Sequence, residues 1–261
     1  MNWIISNNTI IFDADYNMEL DAELICNCKK IIFSNYKLNK KIFEYYTNKN
    51  FDYDYVNKNY CGNKLGAWNK FNKNISNLPS NLTHLTFGYM FNKDVSVLPH
   101  SITHLIFGYD FNQDVLKLPY FLTHLIFGYN FNQDVSALPP NLILIYFGRT
   151  FNQDVSKLPP SITYLIFGDN FNQDVSNLPS SLTHLTFRNN FNQNILKLPQ
   201  GLTHLIFINN FIFNKDVSNL PSTLTHLTFD YNFNKDVSKL PSSLNHLTFG
   251  WKFNKNVSNL P

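Results

Sequence analysis

The stretch Leu122-Thr123-His124-Leu125-Ile126-Phe127-Gly128-Tyr129-Asn130-Phe131-Asn132-Gln133-Asp134-Val135-Ser136-Ala137-Leu138-Pro139 decides the fold, because its phrase returns along most of the chain. The Phe-Asn pair stands at Phe71, Phe91, Phe111, Phe131, Phe151, Phe171 and Phe191, a spacing of 20, and then at Phe213, Phe233 and Phe253 after a slip of two residues. That makes nine complete copies and one partial copy over residues 71–261. A period of this length marks a stack of equal units, each too small to bury its own apolar face.

Within one unit, Leu125 and Phe127 alternate with His124 and Ile126, the pattern of a short strand with one side turned inward. Gly128 predicts a bend with positive φ, after which Phe131 re-enters the core. The next position is Asn in every copy, from Asn72 to Asn254. Such an Asn is expected to be buried and to serve backbone groups of adjacent coils, each of which would cost about 1–3 kcal/mol if left unpaired. Asp134 is placed to cap a single helical or 3₁₀ turn through Val135-Ser136-Ala137. Pro139 then predicts an extended return to the next strand. Of the 25 Phe residues, 19 fall at just two positions of the repeat, so they are expected to form core ladders and not a scattered apolar surface.

The Leu-x-x-Leu-x-Phe strand followed by Asn resembles a leucine-rich repeat. The full phrase, with its Phe-Asn and Leu-Pro, resembles the FNIP repeat, a family found mainly in social amoebae and the large viruses of amoebae. The resemblance covers residues 71–261. It implies a leucine-rich-repeat-like solenoid with short parallel β-strands on one face and turns, with single 3₁₀ or helical turns, on the other. By association it implies a protein-interaction role, and it implies no activity. Many members of the family carry an N-terminal F-box, but residues 1–70 lack its opening Leu-Pro and its amphipathic three-helix pattern. Phe12, Asn17 and Leu20 keep the spacing of the repeat instead, and Phe33, Asn39 and Ile42 keep it with one extra residue. Residues 1–70 are therefore expected to form degenerate coils that seal the end of the core; the alternative is a small α/β cap around Leu38–Tyr46.

Charge narrows the partners. The net charge of +3 is evenly spread: residues 71–261 carry 12 Lys and Arg against 10 Asp, and residues 1–70 carry 9 Lys against 8 Asp and Glu. Neither part has the basic stripe that a phosphate backbone requires, so no nucleic-acid partner is expected. The three cysteines, Cys26, Cys28 and Cys61, all precede the repeats and read as reduced, packed thiols in an intracellular protein, in the host cytoplasm if viral. No signal peptide is read at the start, and no apolar run approaches the roughly 18 residues of a membrane span. The glycosylation-type tripeptides at Asn7, Asn74, Asn81 and Asn256 are then chance products of an Asn-rich chain.

Repetition turns outward residues into columns about 4.8 Å apart from strand to strand. His84, His104, His124, His184, His204, His226 and His246 form one column, interrupted by Leu144 and Tyr164. Two residues on stand Thr86, Ile106, Ile126, Tyr146, Ile166, Thr186, Ile206, Thr228 and Thr248. Just past the strand come Tyr89, Tyr109 and Tyr129, and later Tyr231 and Trp251. A straight His ladder does not converge on a zinc ion, and one Asp per coil falls well short of a calcium shell, so no cofactor or metal is expected. Every Ser, His and Asp of the array has copies in equivalent places, so no singular catalytic constellation emerges. The function expected is a non-catalytic scaffold that binds a protein through the columns of the strand face. The alternatives are a carbohydrate-binding surface on the Tyr and Trp column, or a structural, self-assembling protein; the oligomeric state stays open. A second candidate contact is the seam where Arg188, Ile208 and Asp230 replace Gly in successive copies. The surplus residues in Ile208-Asn209-Asn210-Phe211-Ile212-Phe213 are expected to bulge there and expose Phe211 or Ile212.

Overall fold

The computed structural model describes residues 3–33, 69–209, 211–258 and 260. It divides into two compact units, Met1–Phe131 and Asn132–Pro261.

The first unit opens with a hairpin, β1 (Trp3–Ser6) antiparallel to β2 (Thr9–Phe12). Asn7 and Asn8 join them with φ of 47° and 61°. That is the two-residue turn whose twist suits paired strands, and Asn tolerates it because its side chain can bond locally. A short helix, α1 (Ala22–Ile25), follows, with Asp21 Oδ1 accepting from the backbone N–H groups of Glu23 and Leu24. From β3 (Lys30–Phe33) onward the strands are parallel: β4 (His84–Thr86), β5 (His104–Ile106) and β6 (His124–Ile126). In the second unit β7 (Leu144–Tyr146), β8 (Tyr164–Ile166), β9 (His184–Arg188), β10 (His204–Ile208), β11 (His226–Thr228) and β12 (His246–Thr248) continue the same pattern. Each unit is thus a parallel-strand solenoid with equivalent residues in register; Leu205, for example, lies between Leu185 and Leu227.

Three tight turns complete a coil. Phe111 N–H donates to Gly108 C=O, Leu98 N–H to Val95 C=O and Ile102 N–H to Pro99 C=O. The last of these corrects the extended return expected after proline: the Pro carbonyl opens a further turn, a placement that costs nothing because it uses the oxygen and not the missing N–H. The bend glycines also act differently from the expectation, since no glycine among the described residues has positive φ. Packing sets the requirement instead: a Cβ on Gly108 would overlap the carbonyl of Gly88, and one on Gly128 the carbonyl of Gly108. Arg188 and Ile208 stand at that position on strands that run on to five residues, with Ile208 paired to Arg188.

The core is a double Phe ladder. Within a coil Phe107 and Phe111 stack at 3.7 Å, and from coil to coil Phe107 meets Phe127 at 5.7 Å. Such ring pairs add roughly 0.5–1.5 kcal/mol beyond burial. The ladder extends toward the N-terminus: Phe12 stacks on Phe33 at 5.1 Å, Phe33 on Phe71 at 4.1 Å, and buried Leu20 lies with them in the core. Asn17 Oδ1 accepts from the backbone N–H of Asn72 at 3.3 Å. Asn39, Ile42, Cys61 and the Leu38–Tyr46 segment lie outside the described residues. Among the described residues no helix is long and apolar enough to cross a membrane.

Candidate interaction face

The outward imidazoles occupy the first residue of each strand, so backbone register brings them face to face. In the first unit His84 stacks on His104 at 4.2 Å and His104 on His124 at 4.3 Å. In the second, Tyr164 stacks on His184 at 4.1 Å, His184 on His204 at 4.0 Å, His204 on His226 at 4.1 Å and His226 on His246 at 4.2 Å. Tyr164, which breaks the His column in sequence, continues it as a ring. Leu144 is buried.

A Thr precedes six of the seven imidazoles, and its hydroxyl lies 2.8–2.9 Å from the ring Nδ1 at His84, His104, His124, His184, His204 and His226. The same hydroxyl donates to the Thr carbonyl of the preceding coil, at 3.2 Å for Thr103 and Thr83. That carbonyl already accepts two backbone N–H groups, from Thr103 at 2.9 Å and from His104 at 3.1 Å. The hydroxyl thus bridges the carbonyl of one coil and the imidazole of the next, which fixes the ring's orientation. Each strand face therefore carries a row of imidazoles held in a fixed orientation.

Five of these rings resist protonation. Burial, followed by the neighbouring His84, His124 and Lys30 charges, lowers the His104 pKa to about 3. Burial, then His204 and His226, lowers His184 to about 4. His84, His124 and His204 are lowered for the same leading reason. Lys30, in register with His84 on β3, is also lowered by burial.

The column two residues on is less outward than its polarity pattern suggests. Thr86, Ile106, Ile126 and Tyr146 are buried, and Ile166, Thr186, Ile206 and Thr228 are half-buried. A side chain in a parallel in-register ladder is flanked by its own copies on both sides, which removes surface that a single strand would leave open. Past the strand, Tyr89, Tyr109 and Tyr129 stack at 4.5 Å and 4.3 Å. Burial and the adjacent Tyr129 and Tyr89 push the Tyr109 phenol up to about 12. In the second unit this edge becomes ionic: Asp169 lies 3.3 Å from Arg149 and 3.9 Å from Arg188. At the seam Phe211 and Ile212 are both exposed, Asn209 takes φ of 50°, and Phe211 meets Tyr231 edge-on at 5.6 Å.

The Asn and Asp columns are structural. Asn92 Oδ1 accepts from Asn112 N–H at 3.0 Å, and Asn132 Oδ1 from Asn152 N–H at 2.9 Å. The bond pattern is the one expected, but the side chains are half-buried, not buried. Asp94, Asp134, Asp154, Asp174, Asp216 and Asp236 each hold the Ser two residues on through its N–H and hydroxyl. Among the described residues no three His, Cys, Asp or Glu side chains gather into a metal-sized group.

The FNIP Repeat model matches residues 71–110, 111–150, 151–190, 174–210, 191–229 and 213–252. Among solved structures the chain is similar to CroV588 of a giant virus, described as a novel circular LRR protein, with 34% identity and a TM-score of 0.70 over 99% of this chain and 42% of that one. The chain thus spans well under two thirds of that protein's length. It is also similar to YopM from Yersinia enterocolitica WA-314, at 27% identity and a TM-score of 0.49 over 74% of this chain and 44% of that one. A third likeness, in fold alone, is to the functional domain of InlJ from Listeria monocytogenes, at 17% identity and a TM-score of 0.52 over 95% of this chain and 55% of that one. No curated protein matches the chain. With the repeat model matching from residue 71 to residue 252 on an LRR-type solenoid, the chain belongs to the FNIP-repeat family.

Proposed function

We propose that the chain is a non-catalytic scaffold that binds another protein through the strand faces of its coils. One observation carries this reading: the outward imidazoles are ordered before any partner arrives. Stacking at 4.0–4.3 Å and the Thr–His bonds fix rings that contribute little to the core. A surface with its rotamers already set loses less entropy on association. Neutral rings with a polar tip desolvate more cheaply than charged side chains and offer a partner a directional hydrogen-bonding nitrogen. The LRR-type fold is often used for protein interaction, in keeping with this role.

Evenly spread charge argues against nucleic acid as the partner, and no membrane contact is invoked. Free Cys26 and Cys28 fit an intracellular protein. Residues 1–70 belong to the scaffold as degenerate coils closing its first end, a role supported by the Phe12–Phe33–Phe71 stack and by the bond from Asn72 to Asn17.

The test replaces His104, His124, His184 and His204 together by Ser and compares affinity purification from the native cell with that of the unmodified chain. The variant is expected to melt cooperatively yet lose its partner by about tenfold or more. The reading fails if the same protein is captured undiminished, while Lys117→Glu, Lys157→Glu and Lys197→Glu on the turn side abolish capture.

A further inference from the structure

On three successive coils of the second unit, those of β7, β8 and β9, the strand side departs from the repeat phrase. Ile143 stands where seven copies have Thr, and Leu144 and Tyr164 where seven have His. Arg149 takes the place of the Tyr found at 89, 109 and 129, and Arg188 that of the Gly found at 88, 108 and 128. These two are the only arginines of the chain. With β7 paired to β8 and β8 to β9, both reach one carboxylate: Asp169 lies 3.3 Å from Arg149 Nε and 3.9 Å from Arg188 Nη1. No other residue of 141–150, 161–170 or 181–190 carries a formal charge, so two guanidiniums against one carboxylate leave this edge at +1.

The opposite end of the same strands is apolar. Ile143 C=O accepts from the N–H groups of Thr163 at 2.9 Å and Tyr164 at 3.0 Å, which sets Ile143 and Tyr164 side by side. They are 41% and 39% exposed. At Thr103, Thr123, Thr163 and Thr183 the hydroxyl in the position of Ile143 donates to a carbonyl of the preceding coil. Ile143 has no hydroxyl to give, so its coil is weaker by that bond while an aliphatic group is left in water. From His184, which stacks on Tyr164, to Arg188 at the end of β9 is four residues, about 13 Å of extended chain.

We infer that this patch docks an extended segment of a protein partner in which an acidic side chain lies about four residues from an aliphatic or aromatic one. Charge selects the acidic group: an Asp or Glu carboxylate neutralises the edge, whereas a basic group meets repulsion. The planar guanidinium also matches a carboxylate in geometry. Arg149, with its side chain 46% exposed, is the contact residue, and Arg188, 14% exposed, is a positioning residue that holds Asp169. The apolar side chain of the segment covers Ile143 against the Tyr164 ring. The inference rests on the strand-face reading and narrows it to one place and one kind of segment.

The test probes the full chain with an array of short Ser/Thr peptides that each carry one Leu or Phe and, about two to six residues away, Glu, Gln or phosphoserine. Retention of Glu peptides over Gln peptides is expected, strongest at a separation of about four. In fluorescence polarisation with the best Glu peptide, Arg149→Gln should weaken binding about tenfold. Ile143→Thr, which restores the residue of the repeat, should weaken it similarly without lowering the melting temperature, and Tyr89→Gln in the first unit should leave it unaltered. Equal retention of Glu and Gln peptides, or of neither, overturns the inference, as does binding that survives both Arg149→Gln and Ile143→Thr. Retention of phosphoserine peptides alone overturns it in favour of phosphate recognition. The strand-face reading is separated by capture from the cell. If the chain with Arg149→Gln and Ile143→Thr keeps in full the protein that the four His→Ser changes lose, the patch inference falls and the strand-face reading stands.

Discussion

Gly108 and Asn132 act through the next coil and not through their own. Gly108 is needed because the Gly88 carbonyl occupies the space of a Cβ, so Gly108→Ala must push two backbones apart. A loss of about 2–4 kcal/mol is expected in urea melts. Gly201→Ala is the matched control: its nearest neighbour, Ser180 O, would lie at 3.4 Å, an ordinary contact. That change should be neutral or stabilise by up to about 1 kcal/mol, since it only restricts the unfolded chain. Equal effects at the two positions would show that coil spacing does not set the glycine requirement. Asn132 accepts from Asn152 N–H at 2.9 Å and from Gln153 Nε2 at 3.1 Å. Asn132→Ala should cost about 1–3 kcal/mol, and Asn132→Asp, which keeps the acceptor, much less. If both variants melt alike, the ladder bond contributes nothing. The Asn role was readable from its recurrence alone. The glycine role was not, because recurrence says that a small residue is needed and not whether φ or a neighbouring carbonyl demands it.

The coil itself was legible where period and polarity agree, at the inward Leu125, Phe127, Phe131 and Val135. It was misread where a backbone atom decides, as at Pro99, whose carbonyl starts a turn, and where copies shield one another, as at Ile106 and Ile126. The hairpin of β1 and β2 was missed, although Asn7-Asn8 between the apolar runs Trp3–Ile5 and Ile10–Phe12 was a signal for it. At the seam, Phe207 and Phe213 still stack at 4.1 Å despite the surplus residues between them. The core has therefore accommodated the insertion, and Phe211 and Ile212 hang outside it. Deleting both should leave the urea midpoint within about 1 kcal/mol of the original, since loop length carries only a logarithmic entropy cost. A much larger loss would place the insertion inside the packing of its coil.

In a repeat array small per-coil terms add, so the depressed histidines act on the stability of the whole chain. Their ordinary pKa is 6.5, and it falls to about 3 at His104 and about 4 at His184, with His84, His124 and His204 moving the same way. Between those values the unfolded chain holds protons that the folded chain refuses, so acid favours unfolding. The contribution is complete above pH 6.5 and is lost progressively as pH falls toward the folded values. Asp94, Asp134, Asp154 and Asp174 are also depressed, chiefly by the Ser groups they cap, but from an ordinary value of 3.8. They add their loss only below about pH 4, so from pH 6.5 to 4 the five imidazoles drive the decline, opposed by Asp110, whose carboxyl pKa burial raises. Urea midpoints at pH 8 and 7 should coincide, then fall at pH 6, 5 and 4. The decline should be shallower in a chain carrying His104→Gln and His184→Gln, which keep a polar side chain without a proton to take up. A midpoint that holds constant down to pH 5, or a slope that ignores the two substitutions, would mean that the ladder admits protons freely. The imidazoles would then be solvated side chains and not the ordered, neutral surface on which the proposed protein contact rests.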